Sequence, residues 1–558
     1  MSLWRKTSPN SFLSRTDKHT RGQKIRCFLV FDYLSYMKVS KISLQETHTF
    51  SSLFLSYIDR NPALEEFYGY YPTLENFAKQ IAAKAASFSP ELRKQLVKAV
   101  TGQYYNSTIS AAVKENITLL GNSNTFTVTT GHQLCLFTGP LYFIYKIVTV
   151  INLAKELKQK YPDSNFVPVY WLHAEDHDFE EINHFTLFGK TYTWYTDQKG
   201  ATGRIETKGL EELLANLPER LPLMEKAYSH AMLAEATRYL VNELFGEYGL
   251  IILSGDDEEL KRGFVPYIKD ELLYNSSHEQ VNKTNAAMEA KGFDPQITAR
   301  EINLFYMDNG LRERIVKEGD HYKVVNSNLS FSENQLLELC DKSPNNFSPN
   351  VVTRPLYQEV VLPNLAYIGG PAEVAYWLQL KGFFDYHKIP FPILIPRSFA
   401  MILPANLEKK LHKLETDVRE LFYDDDKIRK RYVDNKNTGE VDFTEEQQLL
   451  EKAFEIYRQK AAAADKTLEA YTQAEKQKAL KIVESVEKRI HKAVETKFKT
   501  DIEQLQNLRA KLFPNGSLQE RVDNFLNFYI NDPAFIEKLL QSLDPLDFRF
   551  NILTDEKS

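Results

Sequence analysis

The chain has 558 residues, 43% hydrophobic and 26% charged, so it can bury a sizeable core, and its length points to two to four domains or one core with large insertions. Its 69 basic and 75 acidic residues leave a formal net charge of -6, which excludes a general attraction to nucleic acid or to anionic membranes. Three cysteines, Cys27, Cys135 and Cys340, lack motif spacing, which argues against a disulfide framework or a zinc finger. No apolar run reaches the roughly 18 residues of a membrane helix, so the cytoplasm is the expected compartment.

Residues 1–36 are basic, polar and aperiodic, apart from an apolar stretch at 27–34 that contains Asp32. No small-residue cleavage pattern follows, so a secretory signal is not expected. This segment reads as a disordered extension upstream of a start at Met37. Residues 37–122 read as helices, punctuated by Asn61-Pro62 and Tyr71-Pro72, with Pro90 in a first helical turn. From 123 the texture changes. Phe126-Thr-Val-Thr alternates like a strand, Gly131 to Pro140 turns the chain, and Ile144, Ile147, Val148, Ile151 and Ala154 make one helix face. Val167 to Leu172 is a second buried strand, and it runs directly into His173-Ala-Glu-Asp-His-Asp178. Leu250 to Leu253 is a third.

A second strand–turn–helix unit appears at Ala366-Tyr-Ile-Gly-Gly-Pro371, and Phe391 to Pro396 is a further strand ending at Arg397. Alternating strands and helices predict an α/β, doubly wound parallel sheet over 123–403, with insertions at about 200–245 and 262–350. Such sheets bind ligands beyond the carboxyl ends of their strands, where these polar turns sit. Residues 404–513 are charged and helix-prone. Ile482, Val486, Ile490, Val494, Phe498, Ile502, Leu505, Leu508 and Leu512 recur mostly every fourth position. With an earlier helix carrying Leu449, Ala453, Ile456 and Ala464, they predict an antiparallel coiled-coil hairpin, whose outer stripe suits a homodimer. Residues 514–558 are expected to return to the core as a helical segment.

Three stretches carry candidate chemistry. The first is 171–184, with three histidines and five carboxylates. So many titratable groups after a buried strand are costly unless they pair or bind something. His173, Asp176, His177 and Asp178 are therefore candidates for acid–base catalysis, and Glu175 for binding. Metal ligation is an alternative for the His and Asp side chains, although no metal is expected here. Helix capping by Asp176 or Asp178 would explain one or two acids, but not the histidines.

The second stretch joins Gly131, His132 and Gln133 to Thr138 and Gly139. A glycine turn between strand and helix offers backbone amides to an anion, and Lys146 follows on the helix. It matches neither a Walker nor a GxGxxG pattern, and a purely structural turn accounts for it equally well. Cys135 reads as a core thiol. The third repeats this logic at Gly369, Gly370 and Glu373, with Arg354, Tyr357 and Arg397 nearby in sequence. The arginines are suited to carboxylate or phosphate, or to ordinary ion pairing.

Several long motifs in order resemble the bacillithiol biosynthesis cysteine ligase family, commonly called BshC. They are Thr130-Gly-His-Gln with Thr138-Gly-Pro-Leu-Tyr142, the run from Val167 to Asn183, Arg354-Pro-Leu-Tyr357, the run from Leu365 to Trp377, and Leu512 to Arg521. The resemblance covers Met37 to the C-terminus. It implies a Rossmann-like core similar to class I aminoacyl-tRNA synthetases, helical insertions and a coiled-coil dimerisation domain. It also implies a reaction, the joining of cysteine to glucosaminyl-malate through an amide bond. Amide formation in water needs an activated carboxyl, so ATP or another nucleotide is expected. The first turn here reads Gly-His-Gln where Gly-Gln-Gln is common in the family, which argues against His132 as an indispensable base. Two readings of other classes compete: a non-catalytic nucleotide- or sugar-binding coiled-coil scaffold, and a metal-dependent hydrolase.

The start at Met37 is testable. Peptide mapping of the native protein is expected to recover nothing upstream of Met37, and a peptide beginning at Met1 refutes it.

Overall fold

The computed structural model describes residues 37–436 and 443–555. The expected extension, residues 1–36, lies outside the described residues.

Burial on both faces explains the composition of the central strands. Thr125–His132, Asn165–Leu172, Ile251–Ser254, Asn364–Gly369 and Ile393–Pro396 are buried almost throughout and form one parallel five-stranded sheet. Near-continuous apolar runs are what a parallel sheet covered on both sides requires. Thr125–His132 lies in the centre. Asn165–Leu172 and then Ile251–Ser254 follow on one side, and Asn364–Gly369 and then Ile393–Pro396 on the other. The chain winds outward in one direction and restarts in the other. This is the Rossmann order, with its switch point between Thr125–His132 and Asn364–Gly369.

A buried polar relay joins these two strands. The hydroxyls of Thr127 and Thr129 donate to Asn364 Oδ1 at 3.1 and 2.8 Å. Asn364 Nδ2 donates to Glu359 Oε1 at 2.6 Å, and Lys84 Nζ lies 3.4 Å from Glu359 Oε2. The relay thus ties helix Asn76–Ser87 of the N-terminal region to the middle of the sheet.

The insertions are not wholly helical. Beyond helices Glu258–Tyr274 and Ser276–Ala290, an antiparallel sheet runs in the order Ser330–Ser332, His321–Val324, Leu311–Glu318, Leu304–Asp308, Phe347–Pro349. Leu311-Arg-Glu-Arg-Ile-Val-Lys-Glu318 has few apolar residues and weak alternation, so periodicity does not mark it as a strand. The C-terminal segment also departs from expectation. It passes through short helices and ends as strand Phe550–Asp555, inserted between Lys38–Ile42 and Phe399–Pro404. Phe550, Ile552 and Leu553 are buried there, and that burial selects a strand.

Helices Thr444–Ala464 and Leu468–Lys497 form the long hairpin. Gln447 pairs with Glu487, Glu451 with Lys476 and Arg458 with Glu469, a register that only antiparallel helices give. The apolar ladder splits at Phe498. Ile482, Val486 and Ile490 are exposed on the hairpin, whereas Ile502, Leu505, Leu508 and Leu512 on helix Lys499–Leu512 are buried against the body. No helix among the described residues is long and apolar enough to cross a membrane.

Lys84→Met leaves the Glu359 carboxylate buried without its cation. Urea unfolding is expected to show a loss of about 3–5 kcal/mol, largely recovered in Lys84→Met/Glu359→Gln. A single variant of unchanged stability refutes the relay as a structural tie.

Candidate active site

The two strand–turn–helix units face each other at the switch point and leave a crevice of about 290 Å³. Gly131, His132, Gln133 and Lys146 line it from the first unit, and Gly370 and Glu373 from the second. His173 and Asp176 enter from the end of the neighbouring strand, and Arg397 from the end of Ile393–Pro396.

Lys146 and Glu373 close the floor. Lys146 Nζ lies 2.5 Å from Glu373 Oε2 and donates to the Gly131 carbonyl at 2.9 Å. Glu373 also accepts from the Tyr367 hydroxyl at 2.6 Å and from the Gly370 amide at 2.8 Å. Burial would raise its carboxyl pKa, but Lys146 and these hydrogen bonds outweigh that and hold it below the ordinary value. Burial draws Lys146 below its ordinary value, more than Glu373 restores. Glu373 also caps its own helix, Pro371–Leu378, through the Gly370 amide.

Their surroundings disfavour the charged form of both crevice histidines. Burial, followed by the charge of Lys146, pushes His132 down to about 3. Burial, followed by Arg354, puts His173 well below its ordinary value. His173 Nε2 is buried and has no hydrogen-bond partner among the described residues. It packs so tightly on Gly131 that a Cβ at that position would lie 2.4 Å from it. Glycine is therefore required at 131 for close approach of the ring, with no demand on φ.

The motif 173–178 divides. Asp176 reaches the crevice, accepting from Gln133 Nε2 at 2.8 Å and from the His177 amide at 2.8 Å. Glu175 turns away and pairs with Lys261 at 2.5 Å in a buried bridge to the insertion. His177 and Asp178 do not line the crevice. His177 Nδ1 faces Arg312 at 2.5 Å, and Asp178 is exposed ahead of the short helix Phe179–Ile182.

The remaining candidates have structural partners. Arg397 is committed to Glu520 at 2.6 Å and to the Ser398 carbonyl at 2.9 Å. Arg354 lies behind the crevice wall, 3.5 Å from the Tyr376 hydroxyl. Tyr357 donates to the Gly255 carbonyl at 2.8 Å. The Gly369 carbonyl accepts from the Arg397 amide at 2.9 Å. Phe137, Thr138 and Gly139 share left-handed backbone, with φ of 53, 70 and 67°, and Asn524 clamps the carbonyls of Phe137 and Gly139 at 2.8 and 2.7 Å. Such strain persists only where the surroundings over-determine it.

Sequence reasoning missed Tyr142, Tyr376 and Arg521, which also line the crevice. Arg521 comes from beyond the coiled coil and, unlike Lys146 and Arg397, is exposed. Its motif was visible in the sequence, but not its destination. Among the described residues, no three His, Cys, Asp or Glu side chains are grouped as a metal site requires.

A Rossmann-like core whose switch-point crevice gathers two histidines, two carboxylates and three cations, with a helical hairpin appended, defines an α/β protein of the Rossmann-like class. Two family descriptions match it: Bacillithiol biosynthesis BshC, N-terminal Rossmann-like domain, over residues 37–398, and the C-terminal coiled-coil domain of the same family, over residues 400–554. The chain belongs to the BshC family. It is 46% identical over 530 residues to a protein of Flavobacterium psychrophilum named "Putative cysteine ligase BshC", covering 93% of this chain and 99% of the relative. A protein of the same name from Flavobacterium johnsoniae is 44% identical, with 93% and 100% covered, and one from Bacillus cereus is 28% identical, with 90% and 97% covered.

The depressed pKa of His132 has a thermodynamic consequence. Below about 6.5 the unfolded chain protonates this ring and the folded chain does not, so stability falls with pH until about 3. The slope is up to about 1.4 kcal/mol per pH unit for this residue. His132→Gln is expected to flatten the fall of melting temperature between these limits, and an unchanged slope refutes the assignment.

Proposed function

We propose that this chain is a cysteine ligase of bacillithiol biosynthesis, working in the cytoplasm, that joins the cysteine carboxyl to the amine of glucosaminyl-malate. The observation that carries the reading is the switch-point crevice, which sets an unpartnered His173 Nε2 and the Asp176 carboxylate beside Lys146, Arg397 and Arg521. Family membership and the name of its relatives support the same reaction class.

The chemistry follows from the bond made. A carboxylate does not condense with an amine in water unless its oxygen is made a leaving group. An ATP-type nucleotide supplies that step, giving an acyl-adenylate with release of pyrophosphate or an acyl-phosphate with release of nucleoside diphosphate. The amine then attacks, the activating group departs, and the surplus amine proton passes to a base. Asp176 takes that proton, and His173, which burial and the neighbouring cations keep from charging, orients the amine by accepting a hydrogen bond at Nε2. His177 is the weaker candidate, because its Nδ1 faces a guanidinium. The cations and the start of helix Pro371–Leu378 suit the malate carboxylates or the nucleotide phosphates. The exposed stripe Ile482, Val486 and Ile490 suits pairing with a second copy of the chain.

Asp176→Ala and His173→Ala are expected to lower kcat by about 10²–10⁴-fold in an assay of amide product with ATP, cysteine and glucosaminyl-malate. Full activity in both variants removes the cluster from the chemistry. Binding of substrates without turnover with any nucleotide favours a binding protein instead.

A further inference from the structure

The turn 173–178 belongs to the core, yet the group that fixes it comes from the insertion. Arg312 lies on strand Leu311–Glu318 of the antiparallel sheet and is itself buried. Its guanidinium is fully engaged. Nε donates to Ser348 Oγ at 3.0 Å, Nη2 to the Pro349 carbonyl at 3.2 Å, and Cζ lies 4.1 Å from the centre of the Phe305 ring. The remaining nitrogen, Nη1, meets His177 Nδ1 at 2.5 Å and lies 3.9 Å from Asp176 Oδ1.

A guanidinium can only donate, so His177 Nδ1 must accept. The ring is then neutral, with its proton on Nε2. The separation of 3.9 Å between His177 Nδ1 and Asp176 Oδ1 is too long for a competing hydrogen bond. Asp176 is held from three sides: Oδ1 by the His177 amide and the nearby Arg312 charge, and Oδ2 by Gln133, which lines the crevice.

We propose that Arg312 is a positioning residue for the reaction proposed above: it locks His177 as the neutral Nε2–H tautomer and, with that ring, keeps the Asp176 carboxylate turned toward Gln133 and the crevice. Contact of the insertion with the core is thereby a condition for a competent site. The charged groups around His177 are Arg312, Asp176, Glu313 and Asp178; burial and Arg312 lower its pKa, and the three carboxylates oppose them. Removal of the guanidinium therefore raises it.

The test uses full-length protein with ¹⁵N-labelled histidine, His177 being assigned by its loss in His177→Gln. In the wild type, long-range ¹H–¹⁵N spectra at neutral pH are expected to show an unprotonated Nδ1 and a protonated Nε2. In Arg312→Gln the ring should become a tautomer mixture that titrates at higher pH. In the amide-product assay, Arg312→Gln and Arg312→Lys should each lose about tenfold or more in kcat, with KM for cysteine little changed. Arg312→Lys keeps the charge but not the fork, so its loss separates geometry from electrostatics. An Nδ1–H ring in the wild type overturns the proposal without any variant having to fold. So does wild-type kcat in both Arg312 variants. The ring resonances need no substrate, so a wild type that makes no amide counts against the ligase reading alone.

Discussion

Lys146 and Glu373 stand on helices that follow different strands, one from each side of the topological switch, and they meet at 2.5 Å. Their pairing spans the gap that the strand order opens. Lys146 also holds the Gly131 carbonyl, and Glu373 the Gly370 amide, so both glycine turns are set by one ion pair. A buried pair of this kind costs much of its Coulombic gain in desolvation. Its value here is geometric. It fixes where the turns stand, and hence where His173 rests on Gly131 and where the crevice lies.

The surrounding layers repeat the theme of distant segments fixing core turns. Asn524 clamps the left-handed turn at 137–139, Glu520 neutralises Arg397, and Gln519 accepts the Ile402 amide at 2.8 Å. These residues follow the coiled coil in sequence. The insertion acts from another direction through Lys261 on Glu175 and Arg312 on His177. The core strands supply the crevice, while segments more than 80 residues away in sequence supply the groups that hold its rim.

This division explains which candidate residues reached the crevice. The cluster at 173–178 was conspicuous because its charges had no local partners. Two of its members turned out to have remote ones: Glu175 on Lys261, and His177 on Arg312. Only His173 and Asp176 face the crevice. Arg397 looked like a free anion ligand in the sequence, and its partner Glu520 lies 123 residues away. Arg521, beside that partner, is the cation left exposed.

The alternation of strand and helix, the two glycine turns and the long hairpin are legible in the chain alone. Each of these is written in local periodicity and in residues such as Pro371 that dictate local backbone. The sequence also carried the family motifs. Tertiary structure alone decided the strand order, the antiparallel sheet at 304–349, the placement of Phe550–Asp555, and the identity of each charge's partner. The physical reason is that a hydrogen bond or ion pair between residues 40 and 400 apart leaves no periodic trace in the chain. A buried cation reads the same in sequence whether it awaits a ligand or already holds a carboxylate.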